Sequence, residues 1–223
     1  MIKYIQGIDE AIKWIINDFN EKKYLKKTFK NKKITFIDIG TNYGLFYSKI
    51  SKIFRIKRAL LIDPLPKLKN KLSNICILNL GVTNKKCLKI FYEHKISSQS
   101  SFYKRNNKLK IISKIKAKKL IKCDKLDNII NNYKIKFIDL LKIDAQHEEL
   151  NVLKGSRNIL KKKLIKMIKI EINLISFYKN KKNNFFEIIS LLKKYKYNLS
   201  TISKIKYIDN EVALIDAYFK RDD

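Results

Sequence analysis

The sequence is poor in the residue types that build metal centres, disulfide frameworks and tight loops. It has three cysteines, two histidines, five glycines and two prolines in 223 residues. Cys76, Cys87 and Cys123 are widely spaced and form no C-x-x-C pair. We therefore predict neither a zinc site nor a disulfide framework, and no metal cofactor. Free cysteines favour a reducing compartment, which indicates a cytoplasmic protein.

Long apolar runs are missing as well. Residues 1–5 (MIKYI) do not begin the apolar core of a signal peptide. No stretch approaches the roughly 18 consecutive apolar residues of a membrane-spanning helix, so no transmembrane segment is expected. An apolar content of 45% and a length of 223 residues predict a globular chain with one substantial core.

Arginine is scarce beside lysine, although the net charge is +31. Arginine is the usual choice for recognition of phosphates and bases. Lysine, isoleucine and asparagine share A/T-rich codons, so a biased genome accounts for much of this charge. A functional basic surface, meeting nucleic acid or an anionic substrate, stays open as the alternative. The five arginines are Arg55, Arg58, Arg105, Arg157 and Arg221.

Residues 36–44 (FIDIGTNYG) predict a buried strand, a glycine turn and the start of a helix. Gly40 and Gly44 allow the backbone to come close to a ligand. Asn42 replaces the second glycine of a dinucleotide turn, and a pyrophosphate gains nothing from Asp38. A preceding acid suits a cofactor with an ammonium and a sulfonium, which points to S-adenosylmethionine. The structural alternative is that Asp38 only caps the next helix.

Apolar runs alternate with helical periodicities along the chain, which predicts an α/β fold. We expect a Rossmann-like, doubly wound, mostly parallel sheet with an antiparallel C-terminal strand. Residues 1–223 are interpreted as one domain, with a helical lid at 1–30, a cofactor-binding core at 34–175 and closing elements at 176–223. Strands are predicted at 34–39, 58–64, 75–82, 88–92, 108–122, 137–144, 164–172, 199–205 and 212–219. Helices are predicted at 8–29, 43–55, 66–73, 124–132, 148–160 and 184–196.

Three of the predicted strands end in an acid, namely Asp38, Asp63 and Asp144. The carboxyl ends of parallel strands meet at one edge of a sheet, where ligands bind. An acid after the second strand can accept hydrogen bonds from both ribose hydroxyls. NAD-binding folds use the same device, so Asp63 alone does not select the cofactor.

Residues 137–155 (FIDLLKIDAQHEELNVLKG), together with FIDIGTNYG at 36–44 and LIDP at 61–64, closely resemble the FkbM family of methyltransferases. That family shows F-I-D-x-G-x-N-x-G, an acid-Pro pair and L-L-K-I-D-x-x-G-x-E-x-x-V-L-K-G. Residues 125–127 (KLD) also fit its L-D pair. The resemblance covers residues 34–175. It implies a class I, S-adenosylmethionine-dependent methyltransferase of Rossmann-like fold that methylates a hydroxyl, commonly on a sugar or polyketide.

The resemblance also implies roles for single residues in the cofactor site. Asp38, Gly40, Asn42 and Gly44 would line the methionine end of S-adenosylmethionine. Asp63 would hold the ribose.

The second half of the motif would supply the acceptor side. Asp144 would lie beside the transferring methyl group, Glu149 would support the helix start, and Glu171 would be an acid near the pocket. His147 stands where the family has glycine, so we expect a differently shaped loop there. Asp144 and His147 are the candidate general bases; a surface or capping role is the alternative for His147.

The sequence therefore predicts an S-adenosylmethionine-dependent O-methyltransferase that acts on a hydroxyl of a sugar, glycan or other small metabolite. Residues 144–147 (DAQH) lack the N-P-P-Y-type tetrad of amino-methylating enzymes, which favours oxygen. The alternative is an RNA methyltransferase or a basic nucleic-acid-binding Rossmann module, suggested by the charge. We expect no obligate nucleic-acid partner.

Overall fold

The computed structural model describes residues 20–30, 32–69, 73–106, 113–181 and 184–222. The strands are β1 Ile34–Ile39, β2 Ile56–Asp63, β3 Ile75–Asn79, β4 Gly81–Val82, β5 Cys87–His94, β6 Ile115–Asp124, β7 Ile138–Ile143, β8 Ile165–Asn173, β9 Tyr197–Ile208 and β10 Glu211–Arg221. The helices are α1 at 20–29, α2 Leu45–Ile53, α3 Leu126–Asn132, α4 Glu149–Lys154, α5 Arg157–Lys161 and α6 Phe185–Lys194.

The central sheet has seven strands in the order β3-β2-β1-β7-β8-β10-β9. Strands β1, β2, β3, β7 and β8 are parallel, and β10 lies antiparallel between β8 and β9. The chain turns to one side after β1 and later returns to the other side at β7, which makes a switch point between these strands. The predicted Rossmann-like, doubly wound and mostly parallel sheet with an antiparallel C-terminal strand is therefore confirmed.

Both faces of this sheet are covered, since its central strands are buried along nearly their whole length. Every residue of β1 is buried. On one face, Leu25 and Phe29 of α1 and Ile50 of α2 pack against Phe36. The larger cluster on the other face joins the sheet to α3, α4, α5 and α6. The edge of the sheet at which β1, β7 and β8 end remains open to a ligand.

A second, three-stranded sheet in the order β4-β6-β5 stands beside the first. The predicted strand 75–82 is therefore wrong as one element, since β3 ends at Asn79 and β4 pairs with β6. Gly81 permits this change of sheet: a Cβ there would lie 2.6 Å from Cys123 Sγ and 2.7 Å from the Phe102 ring. The Ser-rich segment after β5 forms a single 3-10 turn, Ser97–Gln99.

The predicted helix 66–73 is wrong over residues 66–69, which have no regular structure; residues 70–72 lie outside the described ranges. Two backbone amides at the start of this region, those of Leu65 and Lys67, bind residues outside it. The amide of Leu65 donates to Asp63 Oδ1 (2.7 Å), and that of Lys67 donates to the carbonyl of Asn42 (2.9 Å). The segment is thus drawn onto the glycine turn.

The predicted helix 148–160 is two helices, α4 and α5. Gly155 lies against the backbone of Thr83, so close that a Cβ would meet its carbonyl oxygen at 2.2 Å. Asp127 then caps the start of α5 by accepting the amides of Asn158 (3.0 Å) and Ile159 (3.1 Å).

Two further predictions fall partly outside the described residues. Residues 8–19 of the predicted helix 8–29 and residues 108–112 of the predicted strand 108–122 lie outside the described ranges, whereas residues 20–29 are helical. The described chain contains no helix with both the length and the apolar character needed to cross a bilayer. The single-domain organisation stays a prediction.

Candidate active site

A cleft of about 1330 Å³ opens where β1, β7 and β8 end, on the side of the sheet that carries α1 and α2. It extends from Gly40 and Asn42 of the glycine turn to Lys204 and Lys206 on β9. Typical small-molecule sites have volumes of roughly 300–1,000 Å³. The cleft is therefore large enough for a cofactor and an acceptor together.

The glycine turn packs tightly between β2 and β7. Gly40 has φ 77°, and a Cβ on it would lie 1.8 Å from the carbonyl oxygen of Asp144. Its amide donates to the carbonyl of Ile62 at 2.8 Å. Asn42 and Gly44 also have positive φ, 47° and 72°. Asparagine tolerates this left-handed conformation better than most residues, which explains how it replaces a glycine here.

Asp38 is completely buried and faces Lys142, its register partner across β1 and β7. Its Oδ1 lies 3.1 Å from Lys142 Nζ, and its Oδ2 accepts the Thr41 hydroxyl at 3.1 Å. Lys142 Nζ also donates to the carbonyl of Gly40 (3.0 Å) and lies 3.4 Å from Asp144 Oδ2. Burial alone would lower the pKa of Lys142, but the charges of Asp38 and Asp144 outweigh it and raise that pKa. The lysine is therefore charged, and it holds turn and strand together.

The side-chain amide of Gln146 binds two carboxyl groups at the cleft, those of Asp144 and Glu171. Gln146 Nε2 donates to Asp144 Oδ1 (2.9 Å) and to Glu171 Oε1 (3.2 Å), while the Tyr178 hydroxyl donates to Gln146 Oε1 (2.7 Å). Asp144, Gln146 and Glu171 all line the cleft. The structure thus brings Asp144 and Glu171 together beside the glycine turn.

The pKa values of these two acids are shifted in opposite directions. Burial raises the pKa of Asp144, but the Lys142 cation and the Gln146 hydrogen bond reverse this, so the net pKa is lowered. Burial and the charges of Asp144 and Asp216 raise the pKa of Glu171 well above its ordinary range. Acids whose environments separate their pKa values are typical of acid–base sites.

His147 lies behind this pair, not in the cleft. Its side chain is only 5% exposed and contacts the rings of Tyr103 (5.8 Å) and Tyr178 (5.5 Å). The surface role considered for it is therefore wrong. Its φ is 84° and that of Gln146 is 50°, which is the left-handed region that favours glycine. The differently shaped loop stays a prediction.

Glu149 supports the same loop from below. Its Oε1 accepts the amides of Ala145 (2.8 Å) and His147 (3.2 Å). Burial raises the pKa of Glu149 to about 8. The carboxyl group is thus a loop anchor with an altered titration, and it does not line the cleft.

Asp63 closes β2 beneath the turn and does not itself line the cleft. Its oxygens accept the amides of Asn42 (3.0 Å) and Leu65 (2.7 Å). Burial raises its pKa, although these hydrogen bonds oppose the shift. A carboxylate has about four lone-pair sites, so acceptor capacity remains for hydroxyl groups. The Asn42 side chain donates to Ser97 Oγ (3.1 Å) and joins the turn to the loop after β5.

The sequence model of one protein family, the methyltransferase FkbM domain, matches residues 38–199. The chain belongs to the FkbM methyltransferase family. It is therefore an enzyme of methyl transfer, in a family and fold of S-adenosylmethionine-dependent methyltransferases. The resemblance seen in the sequence motifs is confirmed.

Solved methyltransferases resemble this FkbM domain at low identity. The N-methyltransferase NodS from Bradyrhizobium japonicum WM9 is 10% identical over 93% of this chain and 98% of its own, with a TM-score of 0.46. The Burkholderia thailandensis 1,6-didemethyltoxoflavin-N1-methyltransferase, with bound 1,6-didemethyltoxoflavin and S-adenosylhomocysteine, is 9% identical over 99% and 84%, with a TM-score of 0.47. M. jannaschii TYW2 in complex with AdoMet is 14% identical over 92% and 76%, with a TM-score of 0.38. No curated protein matches the chain.

Sequence reasoning missed the buried lysines of the FkbM domain. Lys169 on β8 lies 2.7 Å from Glu21 Oε1 and 2.9 Å from Asp216 Oδ2, and the Tyr218 hydroxyl donates to Glu21 at 2.6 Å. Burial opposes ionisation of Glu21, but Lys169 prevails and lowers its pKa to about 2. A lysine between two apolar residues of a buried strand is the signal, since a buried ammonium needs a carboxylate partner.

No metal centre is seen in the described part of the FkbM domain. Its His, Cys, Asp and Glu residues form no group of three or more that would hold an ion. The buried Glu148 instead accepts the Thr83 hydroxyl (2.8 Å) and contacts Lys89 and Tyr103. This network fastens α4 to the small sheet.

Proposed function

We propose that the enzyme transfers a methyl group from S-adenosylmethionine to a hydroxyl oxygen of a sugar, glycan or other small polar metabolite. The observation that carries the proposal is the pair Asp144 and Glu171, held by Gln146 at the cleft beside the glycine turn. The pair combines an ionised acid with one that readily takes up a proton. The ionised acid attracts a cationic cofactor, and the acid that takes up a proton serves a hydroxyl acceptor, which must lose one.

The turn suits the cofactor by shape and charge. Gly40 and Asn42 line the cleft with their backbone. This backbone conformation is possible only because Gly40 has no Cβ. The Asp144 side chain is 30% exposed and offers negative charge to a sulfonium. Asp63 does not line the cleft, but it binds the Asn42 amide of the turn, and its remaining lone pairs are assigned to the ribose hydroxyls. S-adenosylmethionine, when bound, supplies an electrophilic methyl carbon on a positively charged sulfur.

Asp38 and Gly44 lie behind the residues that line the cleft, whereas the sequence predicted that both would contact the cofactor. Asp38 balances the charge of Lys142, which would otherwise repel a cationic ligand. Gly44, with φ 72°, precedes the first turn of α2 and lies against Leu68. Both residues shape the turn and do not touch the cofactor.

Proton removal from the acceptor hydroxyl is assigned to Glu171. Its raised pKa makes its ionised form the stronger base of the pair, so the rate should rise with pH as this carboxyl group loses its proton, and general-base catalysis contributes roughly 10²–10⁴-fold. Asp144 stays ionised, and its carboxylate accepts a hydrogen bond that the acceptor hydroxyl donates. His147 has no such role, because its ring lies against Tyr103 and Tyr178 and not at the cleft.

Cofactor binding is the first test. S-adenosylhomocysteine at 100 times its Kd should stabilise the fold by roughly 2.7 kcal/mol, and NADH should not. Asp63→Asn should weaken this binding, whereas Glu187→Gln, the same change on the exposed side of α6, should leave it unchanged. A stabilisation by NADH without one by S-adenosylhomocysteine rejects the proposed cofactor.

Acceptor chemistry is the second test. Labelled-methyl transfer is measured to paired sugars that differ in one group, such as glucose and glucosamine, and the product is located by NMR. Methylation of a hydroxyl in both sugars supports the proposal. Methylation of the amine alone would replace oxygen with nitrogen as the acceptor atom.

A further inference from the structure

The far end of the cleft differs in chemistry from the glycine turn. We call it the acceptor wall; it is formed by Arg105, Asn173, Phe177, Ser203, Lys204 and Lys206. These residues come from β8, from β9 and from the segments that follow β5 and β8. The wall continues from Glu171, so a molecule whose hydroxyl lies at Glu171 extends along it.

Arg105 is one of five arginines in the chain, and it is held rigidly at the cleft. Its guanidinium carbon lies 5.6 Å from the ring centroid of Phe177 and 5.1 Å from that of Tyr178. Its backbone forms a β-bridge to Tyr178. Stacking fixes the plane of a guanidinium and leaves its edge for a bidentate acceptor.

A buried donor of Arg105 finds no partner in the described protein. Its Nε is buried without a hydrogen bond. Leaving a buried donor unsatisfied is costly, and more so when the group is charged. Native structures contain few such groups, and each one requires an explanation. A ligand oxygen at the wall would satisfy this one.

Ser203 on β9 has a second polar group without a hydrogen-bond partner in the described chain. The pairing of β9 with β10 passes from Ile202 to Lys204 between consecutive residues of β10, so Ser203 is the extra residue of a β-bulge. Its Oγ is buried without a partner in the described chain. Bulges beside active sites commonly re-aim a side chain. Arg105 and Ser203 therefore both offer hydrogen bonds at the same wall.

The charges of the cleft are unevenly balanced. Lys142 and Lys169, which are buried, pair with acids within the protein. Lys204 and Lys206 are exposed and form no ion pair with the residues that the structure describes. Lys204 and Lys206 thus add positive charge to the acceptor wall, on a part of the cleft that is also lined by Glu171, Asp209 and Asp216.

We infer that the acceptor carries an anionic group, a phosphate or a carboxylate, which binds to Arg105 and Ser203 while its hydroxyl lies at Glu171. This inference rests on the proposed methyl transfer and narrows its acceptor. The planar fork of Arg105 matches both anions, and Ser203 donates the third hydrogen bond. Lys204 adds long-range attraction.

The test compares matched probes on the full-length enzyme loaded with S-adenosylhomocysteine. Inorganic phosphate, glucose 6-phosphate, glucuronic acid and glucose are titrated at millimolar concentration and constant ionic strength, with binding followed by calorimetry and ligand-observed NMR. Glucose 6-phosphate and glucuronic acid distinguish phosphate from carboxylate. We expect one of them to bind at least about tenfold more tightly than glucose, since hydrogen bonds to charged groups are strong.

Three variants distinguish binding at the acceptor wall from diffuse attraction by the lysine-rich surface. Arg105→Gln should weaken binding of the preferred anion by about tenfold to a hundredfold, with glucose unaffected. Arg157→Gln makes the same change on the exposed side of α5 and should alter nothing. Ser203→Ala should give a smaller loss in the same direction.

The inference is overturned if no probe shows binding that depends on Arg105, or if glucose and both sugar anions bind alike. Equal losses in Arg105→Gln and Arg157→Gln would also overturn it, since they indicate diffuse charge. Failure of S-adenosylhomocysteine to bind the wild type is a different result, because it rejects the proposed function before the acceptor wall is reached. Cofactor binding by Arg105→Gln confirms that this variant is folded.

Discussion

Lys142 on β7 places its ammonium nitrogen 3.1 Å from Oδ1 of Asp38, its register partner on β1. Both side chains are buried at the switch point of the sheet. Replacing the lysine in Lys142→Met would leave the Asp38 carboxylate without its cation. Breaking a buried pair in this way typically costs about 3–5 kcal/mol, and we expect a loss of this size in urea unfolding.

The double variant Lys142→Met, Asp38→Asn tests the cause of that loss. It removes both charges, so it should recover a substantial part of the stability lost by the single variant. Lys118→Met, on an exposed position of β6, is the matched control and should change stability by less than about 0.5 kcal/mol. A similarly small effect of Lys142→Met would show that the pair contributes little.

Alanine at the two glycines of the turn should have unequal effects. A Cβ at Gly40 would lie 1.8 Å from the carbonyl oxygen of Asp144, whereas one at Gly44 would meet the flexible tip of Leu68 at 2.7 Å. Both residues have positive φ, so backbone strain is similar and the difference reports the close approach to β7. We expect Gly40→Ala to abolish binding of S-adenosylhomocysteine and Gly44→Ala to weaken it. Equal calorimetric affinities for the two variants would contradict this account.

Local sequence patterns predicted the central strands well. The apolar run Ile34–Ile39 is β1 without any change of boundary, because a strand buried on both faces leaves a continuous signal. The acids that end the strands converge because parallel strands share an edge. Long-range contacts explain the failures: the amide of Lys67 is bound to Asn42, and Gly155 breaks a helix against Thr83.

The electrostatics of the site were less accessible to sequence reasoning. Lys142 and Lys169 read as ordinary members of a lysine-rich chain, and their partners follow only from strand register. The imidazole of His147 looked available as a base, but its orientation depends on the packing of Tyr103 and Tyr178. Neither ring is near it in sequence.

Base catalysis is assigned to Glu171, so Glu171→Gln should lower methyl transfer by roughly 10²–10⁴-fold. Affinity for S-adenosylhomocysteine should be unchanged, because the substitution keeps the side-chain shape. His147→Gln removes the imidazole and should lower the rate by less than about tenfold, well below the range for a lost base. Single-turnover rates at saturating cofactor make the comparison. A larger loss for His147→Gln than for Glu171→Gln would reverse the assignment.

RNA binding should be weak and without catalytic consequence. Lys142 and Lys169 are neutralised by carboxylates, so the remaining exposed lysines supply only diffuse attraction. Affinity for a short single-stranded RNA, followed by fluorescence anisotropy, should fall steeply with salt and match that of a lysine-rich control protein of similar charge. Methyl incorporation into RNA by the wild type, lost in Glu171→Gln, would favour an RNA methyltransferase instead.

Stability should depend on pH through Glu149. Burial raises its pKa from the ordinary 4.5 to about 8, so between these values the folded chain holds a proton that the unfolded chain has released. The free energy of unfolding therefore falls as pH rises through this window, by at most about 1.4 kcal/mol per pH unit. Glu171 acts in the same direction, since its pKa is also raised. Glu21, with a pKa of about 2, stays ionised in the folded chain, and its slope of opposite sign is confined to the acidic end of the window, near its ordinary pKa of 4.5.

Glu149→Gln isolates this contribution, because an amide keeps an acceptor oxygen for the Ala145 and His147 amides and does not titrate. Urea unfolding of wild type and variant is compared between about pH 5 and about pH 8. The variant should lose less stability than the wild type as pH rises, so the two curves diverge. Glu187→Gln, on the exposed side of α6, should follow the wild type. Parallel curves for wild type and Glu149→Gln would mean that Glu149 is already ionised in the folded protein, held so by the two loop amides.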